Sequence, residues 1–300
     1  DWGGSGAQGV AFGVLDGGRG LAAAILGAVA VGILASFLPE QAGLITSNDR
    51  QAGMGSIITF YASITLFCAV LVWFLVPHDA RSVNSDRNPF AGVVEVIRRP
   101  LVWAQAGIII CAYCGYKGVD NYSLYAVQVL GKNEVEAALL STYGFYIRPF
   151  AAVAAGLIAD RFDSARSIFV MFVAMVLTYG MLSFATLETT ALFVIYANLF
   201  VTLFAVFAIR GIYYALLEET RTPKPLTGAS VSVIAFVGYT PEVCFCPLTG
   251  RILDANPGTP GFHNYFLFLA VVSAVGIAIS ATLIRLNRKP AREPATATSY

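Results

Sequence analysis

Leu21-Ala-Ala-Ala-Ile-Leu-Gly-Ala-Val-Ala-Val-Gly-Ile-Leu-Ala-Ser-Phe-Leu38 is an eighteen-residue run without a charge, an amide or a proline. Apolar and polar positions do not alternate in it, so it cannot be a strand with one wet and one dry face. A bilayer-spanning helix needs about 20 mostly apolar residues, and this run with its flanks meets that length. Working outward, eight such stretches separated by short polar joints are found at roughly 9–38, 56–77, 101–129, 134–159, 167–186, 189–213, 226–250 and 263–286. Composition agrees: of 300 residues 57% are hydrophobic and only 12% charged, and mean hydropathy is +0.70. Soluble domains carry about 25% charged residues, so this chain cannot be covered with a solvated surface. The sequence therefore predicts an all-α, multi-pass membrane protein that has the lipid bilayer as its first partner. A net charge of +1 leaves no excess to neutralise phosphates, which excludes a nucleic-acid binder.

Lysines and arginines set the orientation, because cytoplasmic joints hold an excess of them. One side receives Arg81, Arg87, Arg98, Arg99, Arg161, Arg166, Arg210, Arg221, Lys224, Arg285, Arg288, Lys289 and Arg292; the other receives Arg50, Lys132 and Arg251. The first set is expected to be cytoplasmic. Residues 77–100 form the longest polar interval, and 90–97 within it read as a short amphipathic helix along the surface. This interval divides two apolar segments from six. The tail from Lys289, rich in Pro, Ala and Thr, is expected to be disordered. No secretory signal precedes the first apolar run, and the first methionine is Met54, so the chain is expected to lack a native start.

Chemistry is sought where ionisable residues stand inside apolar segments, since each costs about 2.5–3.5 kcal/mol on insertion scales. Asp16 and Arg19 are three apart and can pair on one helix face, among glycines that permit close packing; gating or packing competes here with solute contact. Lys117 and Asp120 lie in Gly115-Tyr-Lys117-Gly-Val-Asp120-Asn-Tyr122, a polar, Gly-flanked segment of the kind at which transporter helices break. Tyr122 and its neighbours favour a ligand-facing surface there. Arg148, next to Tyr146 and before Pro149, has no acid within four positions. Its partner is either an anionic solute, whose carboxylate or phosphate fits the guanidinium fork, or an interhelical acid such as Asp120 or Glu242. Glu242, after Gly238-Tyr-Thr-Pro241, is a carboxylate suited either to load and release protons or to bind Arg148. Lys117 and Arg148 together are expected to set a preference for anions.

Enzymatic, cofactor and metal readings find little. His78 and His263 belong to opposite faces, and no His-Glu-x-x-His, Gly-x-Ser-x-Gly or phosphate-cradling loop occurs. Cys68, Cys111, Cys114, Cys244 and Cys246 lie in apolar stretches without metal-site spacing.

Between the fourth and fifth segments, Gly156-Leu-Ile-Ala-Asp160-Arg161-Phe-Asp163-Ser-Ala-Arg166 resembles the Gly-x-x-x-Asp-Arg-x-Gly-x-x-Arg/Lys loop of the major facilitator superfamily, with Asp163 in place of the glycine. Arg210-Gly-Ile-Tyr-Tyr, Gly238-Tyr-Thr-Pro241-Glu242 and Gln8-Gly-Val-Ala-Phe-Gly-Val-Leu-Asp16 resemble parts of its bacterial organic-anion and sugar-acid members. The resemblance implies that the eight segments are helices 5 to 12, with the first four missing. Residues 1–77 would then be the last two helices of an N-terminal half, 78–100 a cytoplasmic linker, 101–288 a six-helix C-terminal half and 289–300 the tail. It further implies a secondary transporter of a small organic anion in the inner membrane, working by alternating access with proton coupling, monomeric when full length. On that basis Lys117, Asp120, Tyr122, Tyr146 and Arg148 are expected to bind solute, and Asp16, Arg19, Asp160, Arg161 and Glu242 to gate or couple. A non-transporting sensor or assembly subunit on the same helices is the alternative.

The orientation is tested by Ser82→Cys in a cysteine-free background: an impermeant maleimide added outside intact cells leaves this position unlabelled, and labelling from outside reverses the topology.

Overall fold

The computed structural model describes residues 8–38, 46–75, 89–186, 190–220, 222–223 and 226–288. The expected disordered tail, and residues 78–88 of the expected linker, lie outside them. Described in chain order, α1 (Gln8–Phe37), α2 (Ser47–Leu75) and the short α3 (Pro89–Ile97) precede α4 (Pro100–Gly118). A 3-10 turn, Val119–Asn121, separates α4 from α5 (Tyr122–Gln128). Then follow α6 (Glu134–Phe162), α7 (Ser164–Leu182), α8 (Leu192–Ile212) and a single turn, α9 (Leu216–Glu219). Last come α10 (Thr227–Gly238), α11 (Pro241–Ala255) and α12 (Thr259–Arg288). No strand occurs among the described residues.

Local chemistry accounts for the boundaries. Pro100 opens α4 and Pro241 opens α11, where a missing N–H costs nothing because first-turn donors lack helical partners. Asn133 and Glu136 close a reciprocal capping box at the start of α6. Six helical units among the described residues are long and apolar enough to cross a membrane by themselves, α10 and α11 counting as one. The two of the eight expected segments that fall short are α4 with α5, and α6. These carry Lys117 and Arg148, whose side chains pair with acids on neighbouring helices.

Glycines bring the helices together. Along α1, Gly13, Gly17, Gly20 and Gly27 face Ala152, Pro149, Arg148 and Thr142 of the antiparallel α6. A Cβ at Gly13 would come within 2.5 Å of the Ala152 carbonyl oxygen. Ala152 also closes on α8, where a Cβ at Gly211 would stand 2.9 Å from its Cα. Thus α1, α6 and α8 meet at one alanine, and without a strong hydrophobic drive in lipid, such close approach is what holds helices together. By contrast α2 packs mainly on α1, with Arg50 near its start pairing with Glu134 of α6, and Ile58, Leu66, Phe67 and Phe74 are exposed on it, as a lipid-facing helix requires.

The break after α4 falls in the Gly-flanked segment singled out above. Val119 N–H turns to the carbonyls of Tyr116 and Lys117, which leaves Gly115 and Gly118 carbonyls without their helical donors. Tyr179 Oη donates to Gly115 O at 3.4 Å and Tyr265 Oη to Gly118 O at 2.8 Å. Satisfaction from neighbouring helices is what permits an irregular backbone within a membrane. Tyr122 lies in the core beside this break and not on a ligand surface: it is 2% exposed and packs edge-on against Phe266. The expectation that it binds solute is corrected accordingly, because the break turns Tyr122 and Tyr125 into the aromatic core with Phe262 and Phe266.

Asp163, at the α6–α7 junction, has φ 77° and ψ 137°, a backbone conformation natural to glycine. The loop therefore keeps a glycine-like turn with aspartate in the glycine's place, and Asp163 accepts an ion pair from Arg166 at 3.2 Å.

Gly13→Ala is expected to lower stability by about 1–3 kcal/mol through overpacking against Ala152, which exceeds the about 1 kcal/mol gained in helix propensity. Gly18→Ala, which meets no atom within 4 Å, should instead be neutral or stabilising; thermal unfolding of both variants in detergent checks the contrast.

Candidate functional site

Charged side chains between the helices form two clusters joined by tyrosines. In the first, Asp16 on α1 is 8% exposed and Arg148 on α6 is 4% exposed. The guanidinium grips the carboxylate with both edges of its fork, Nε donating to Oδ2 at 3.0 Å and Nη2 to Oδ1 at 2.5 Å. The glycine seam causes this. A Cβ at Gly20 would overlap the Arg148 stem at 2.6 Å, so only glycine lets that arginine lie across α1 to reach Asp16.

Arg210, near the end of α8, is the third member, with Nε 3.9 Å from Asp16 Oδ1 and a side chain 10% exposed. Its guanidinium lies 3.8 Å over the Tyr116 ring and 5.4 Å from that of Tyr113, within cation–π range. Arg210 was expected among the cytoplasmic loop cations; instead it is nine-tenths buried. The apolar run ends there, but the chain turns through α9 back against the bundle, where Gln105 of α4 donates to Leu216 O at 3.0 Å and Thr220 Oγ1 at 2.7 Å. Burial continues past the point at which hydropathy falls.

In the second cluster Lys117 sits between Asp120 at 2.6 Å and Glu242 at 3.5 Å, and Tyr113 Oη donates to Glu242 at 2.6 Å. Glu242 is not in mid-helix as expected, because the α10–α11 break at Tyr239 and Thr240 puts it in the first turn of α11. Helix N–H groups favour a carboxylate there. Its side chain is 55% exposed.

A cavity of about 330 Å³ opens beside the first cluster. Phe12, Leu15, Asp16 and Arg19 line it from α1, Arg210 and Gly211 from α8, and Tyr213, Tyr214, Val231 and Tyr239 complete it. Tyr239 Oη shares hydrogen bonds with Tyr213 at 3.1 Å and Tyr214 at 2.9 Å. The Tyr239 and Tyr113 rings, 4.9 Å apart, connect the two clusters. The result is an alternation of sign: Arg148, Asp16, Arg210, Glu242, Lys117, Asp120.

Several expected residues stand elsewhere or differently paired. Arg19 lines the cavity but is exposed and makes no ion pair with Asp16, whose carboxylate the Arg148 fork has taken. Neither Asp120 nor Glu242 reaches Arg148; Asp16 does. Tyr146 is half-buried on α6 and does not line the cavity. Asp160 is remote from both clusters and accepts a hydrogen bond from Val10 N at 3.1 Å, tying the start of α1 to the end of α6, while Arg161 lies over the Phe162 ring at 5.6 Å. Residues not singled out as ligands were Arg210, Tyr113, Tyr213, Tyr214 and Tyr239. The available signal was that Arg210 falls within the apolar stretch 189–213.

Comparison with known proteins gives one family and two relatives. A family model described as Major Facilitator Superfamily matches residues 1–241. Inner membrane protein YihN of Escherichia coli (strain K12) is 24% identical over 291 residues, covering 93% of this chain and 66% of its own length. Inner membrane protein YqcE of the same organism is 22% identical over 290 residues, covering 94% of this chain and 66% of its own. The chain thus spans just under two thirds of the length of these relatives.

Removing Arg148 alone strands a buried carboxylate, a loss that runs at about 3–5 kcal/mol and that Arg210 nearby should hold to the lower figure. Arg148→Ala is therefore expected to reduce folded yield, and Asp16→Ala/Arg148→Ala to recover it, as read by detergent size-exclusion profiles.

Proposed function

The chain belongs to the Major Facilitator Superfamily, a family of membrane transporters, and from that premise we propose that it carries a small organic anion across the inner membrane by alternating access, coupled to protons. The observation that supports the anion is the charge around the cavity: among the described residues Asp16 is its single lining carboxylate, against Arg19 and Arg210, with Arg148 behind. A cavity of about 330 Å³ suits a small solute. The relatives' names support the inner membrane as its location.

On this reading α1 and α2 belong to one half and α4 to α12 to the other, with α3 in the connecting segment. The cavity then lies between halves, and the Asp16 pair with Arg148 spans the surface across which they rock. Two carboxylates in the charge clusters that face a cation across helices, Asp16 and Glu242, are candidates for the coupling proton. A proton on either cancels its attraction for arginine or lysine and loosens one contact of the closed arrangement. Alternation of sign suits such a device, because neutralising one member frees its neighbours to bind solute.

Reconstitution into liposomes tests the proposal with a panel of radiolabelled small carboxylates, sulfonates and phosphate esters beside neutral solutes of equal size. Uptake is expected for an anion and not for the neutral solutes, faster by about tenfold with an inward proton gradient and slowed by a protonophore. Uptake confined to neutral solutes, or indifferent to the gradient, overturns the corresponding half of the reading.

A further inference from the structure

We propose that Arg210, and not Arg148, is the residue that grips the anion, with the Tyr213, Tyr214 and Tyr239 hydroxyls as its companions. The assignment deepens the transport reading above and rests on it for the class of solute. A guanidinium presents five donors, and a buried one must place them. Arg148 spends both edge donors on Asp16 at 3.0 and 2.5 Å, and nine-tenths or more of its side chain is enclosed. That edge is closed to a solute, and none of the remaining Arg148 nitrogens is buried without a partner among the described residues. Arg148 is a positioning residue that holds the Asp16 carboxylate in place.

Arg210 is in the opposite condition. Its side chain is equally enclosed, yet Nε and Nη1 are buried without a hydrogen-bond partner among the described residues. Asp16, already held by Arg148, stands 3.9 Å away, beyond hydrogen-bond reach. What surrounds Arg210 otherwise are aromatic faces, Tyr116 and Tyr113, which stabilise the charge and offer no acceptor along the guanidinium plane. Donors left open in this way, on the wall of a cavity, need an acceptor oxygen that the described residues do not supply. A carboxylate or a tetrahedral oxyanion supplies it. Arg19, exposed on the same cavity wall, adds a second positive charge, and the three tyrosine hydroxyls around Tyr239 provide hydrogen-bonding groups beside the anionic head. The Tyr239 hydroxyl is shared by two neighbours at 3.1 and 2.9 Å, so one of those bonds can be exchanged for a solute oxygen at little cost.

Equilibrium binding tests this without requiring transport. The probes are sulfate, phosphate and acetate, titrated against the purified protein with chloride held constant and read as a shift in thermal unfolding. The wild-type protein is expected to be stabilised by one of them. Arg210→Ala should weaken that binding at least about tenfold, as the loss of charge-assisted hydrogen bonds implies, Arg210→Lys should leave an intermediate affinity, and Tyr239→Phe should weaken it by less. Asp16→Ala/Arg148→Ala removes the competing pair together and should bind the anion at least as tightly as the wild type. Unchanged binding in Arg210→Ala overturns the assignment, as does loss of binding in a folded double variant, or no stabilisation of the wild type by any probe. Should the double variant fail to fold, Arg210→Lys and Arg210→Ala decide alone: equal and wild-type affinities overturn the proposal, graded losses support it. Binding that depends on Arg210 in a protein showing no uptake leaves this assignment standing and sinks the transport reading. Uptake that survives Arg210→Ala with unchanged affinity does the reverse.

Discussion

Asp16 is the constraint from which the rest of the site follows. A carboxylate removed from water by α1, α6 and α8 must be paired, and pairing it demands a guanidinium at hydrogen-bond distance from another helix. That demand is met because α1 presents glycine wherever α6 approaches. Gly13, Gly17 and Gly20 bring the two axes close enough for the Arg148 stem to lie across α1, and Ala152 extends the same close approach to α8. Close packing and the ion pair are thus one feature. A larger residue in the seam would push the helices apart and lengthen the ion pair with them.

Fixing Asp16 on Arg148 has an electrostatic consequence for the cavity. Among the described residues one acid serves two arginines, so Arg210 keeps unanswered donors and the wall facing Tyr213, Tyr214 and Tyr239 is positive. The second cluster is balanced differently, since Lys117 serves two acids, Asp120 and Glu242. Tyr113 and Tyr239 stand between the two, one bound to Glu242 and beneath Arg210, the other at the α10–α11 break. Charge excess therefore resides at one end of a connected array, beside the cavity, while the other end is neutralised with an acid to spare.

Both helix breaks contribute to this arrangement. Backbone groups freed in a membrane must find partners, and at the α4–α5 turn the hydroxyls of Tyr179 and Tyr265 reach the orphaned carbonyls. The turn lets Lys117 and Asp120 face each other at 2.6 Å, and the break before Pro241 brings Glu242 to the same lysine. Irregular backbone here is a means of aiming charges that a continuous helix would spread around its circumference.

The sequence by itself determined the membrane environment, the apolar segments, the short helix α3 and the Gly-flanked break, because these depend on length, hydropathy and residues close in the chain. It also singled out Asp16, Lys117, Asp120, Arg148 and Glu242, since a charge within an apolar run is visible wherever it lies. Tertiary structure alone decided who pairs with whom. Asp16 and Arg19, three apart, were reasonable partners on one helix, yet Arg148, 132 positions away, offered a planar fork and took the carboxylate. Tyr122 looked like a ligand-facing ring in its local string and became core, because the break turned it toward Phe266. Arg210 looked like a loop cation because hydropathy falls there, and only the return of α9 against Gln105 shows that the bundle continues around it. Partner choice among charges depends on distance and desolvation across helices, and neither quantity is written in the spacing of residues along one of them.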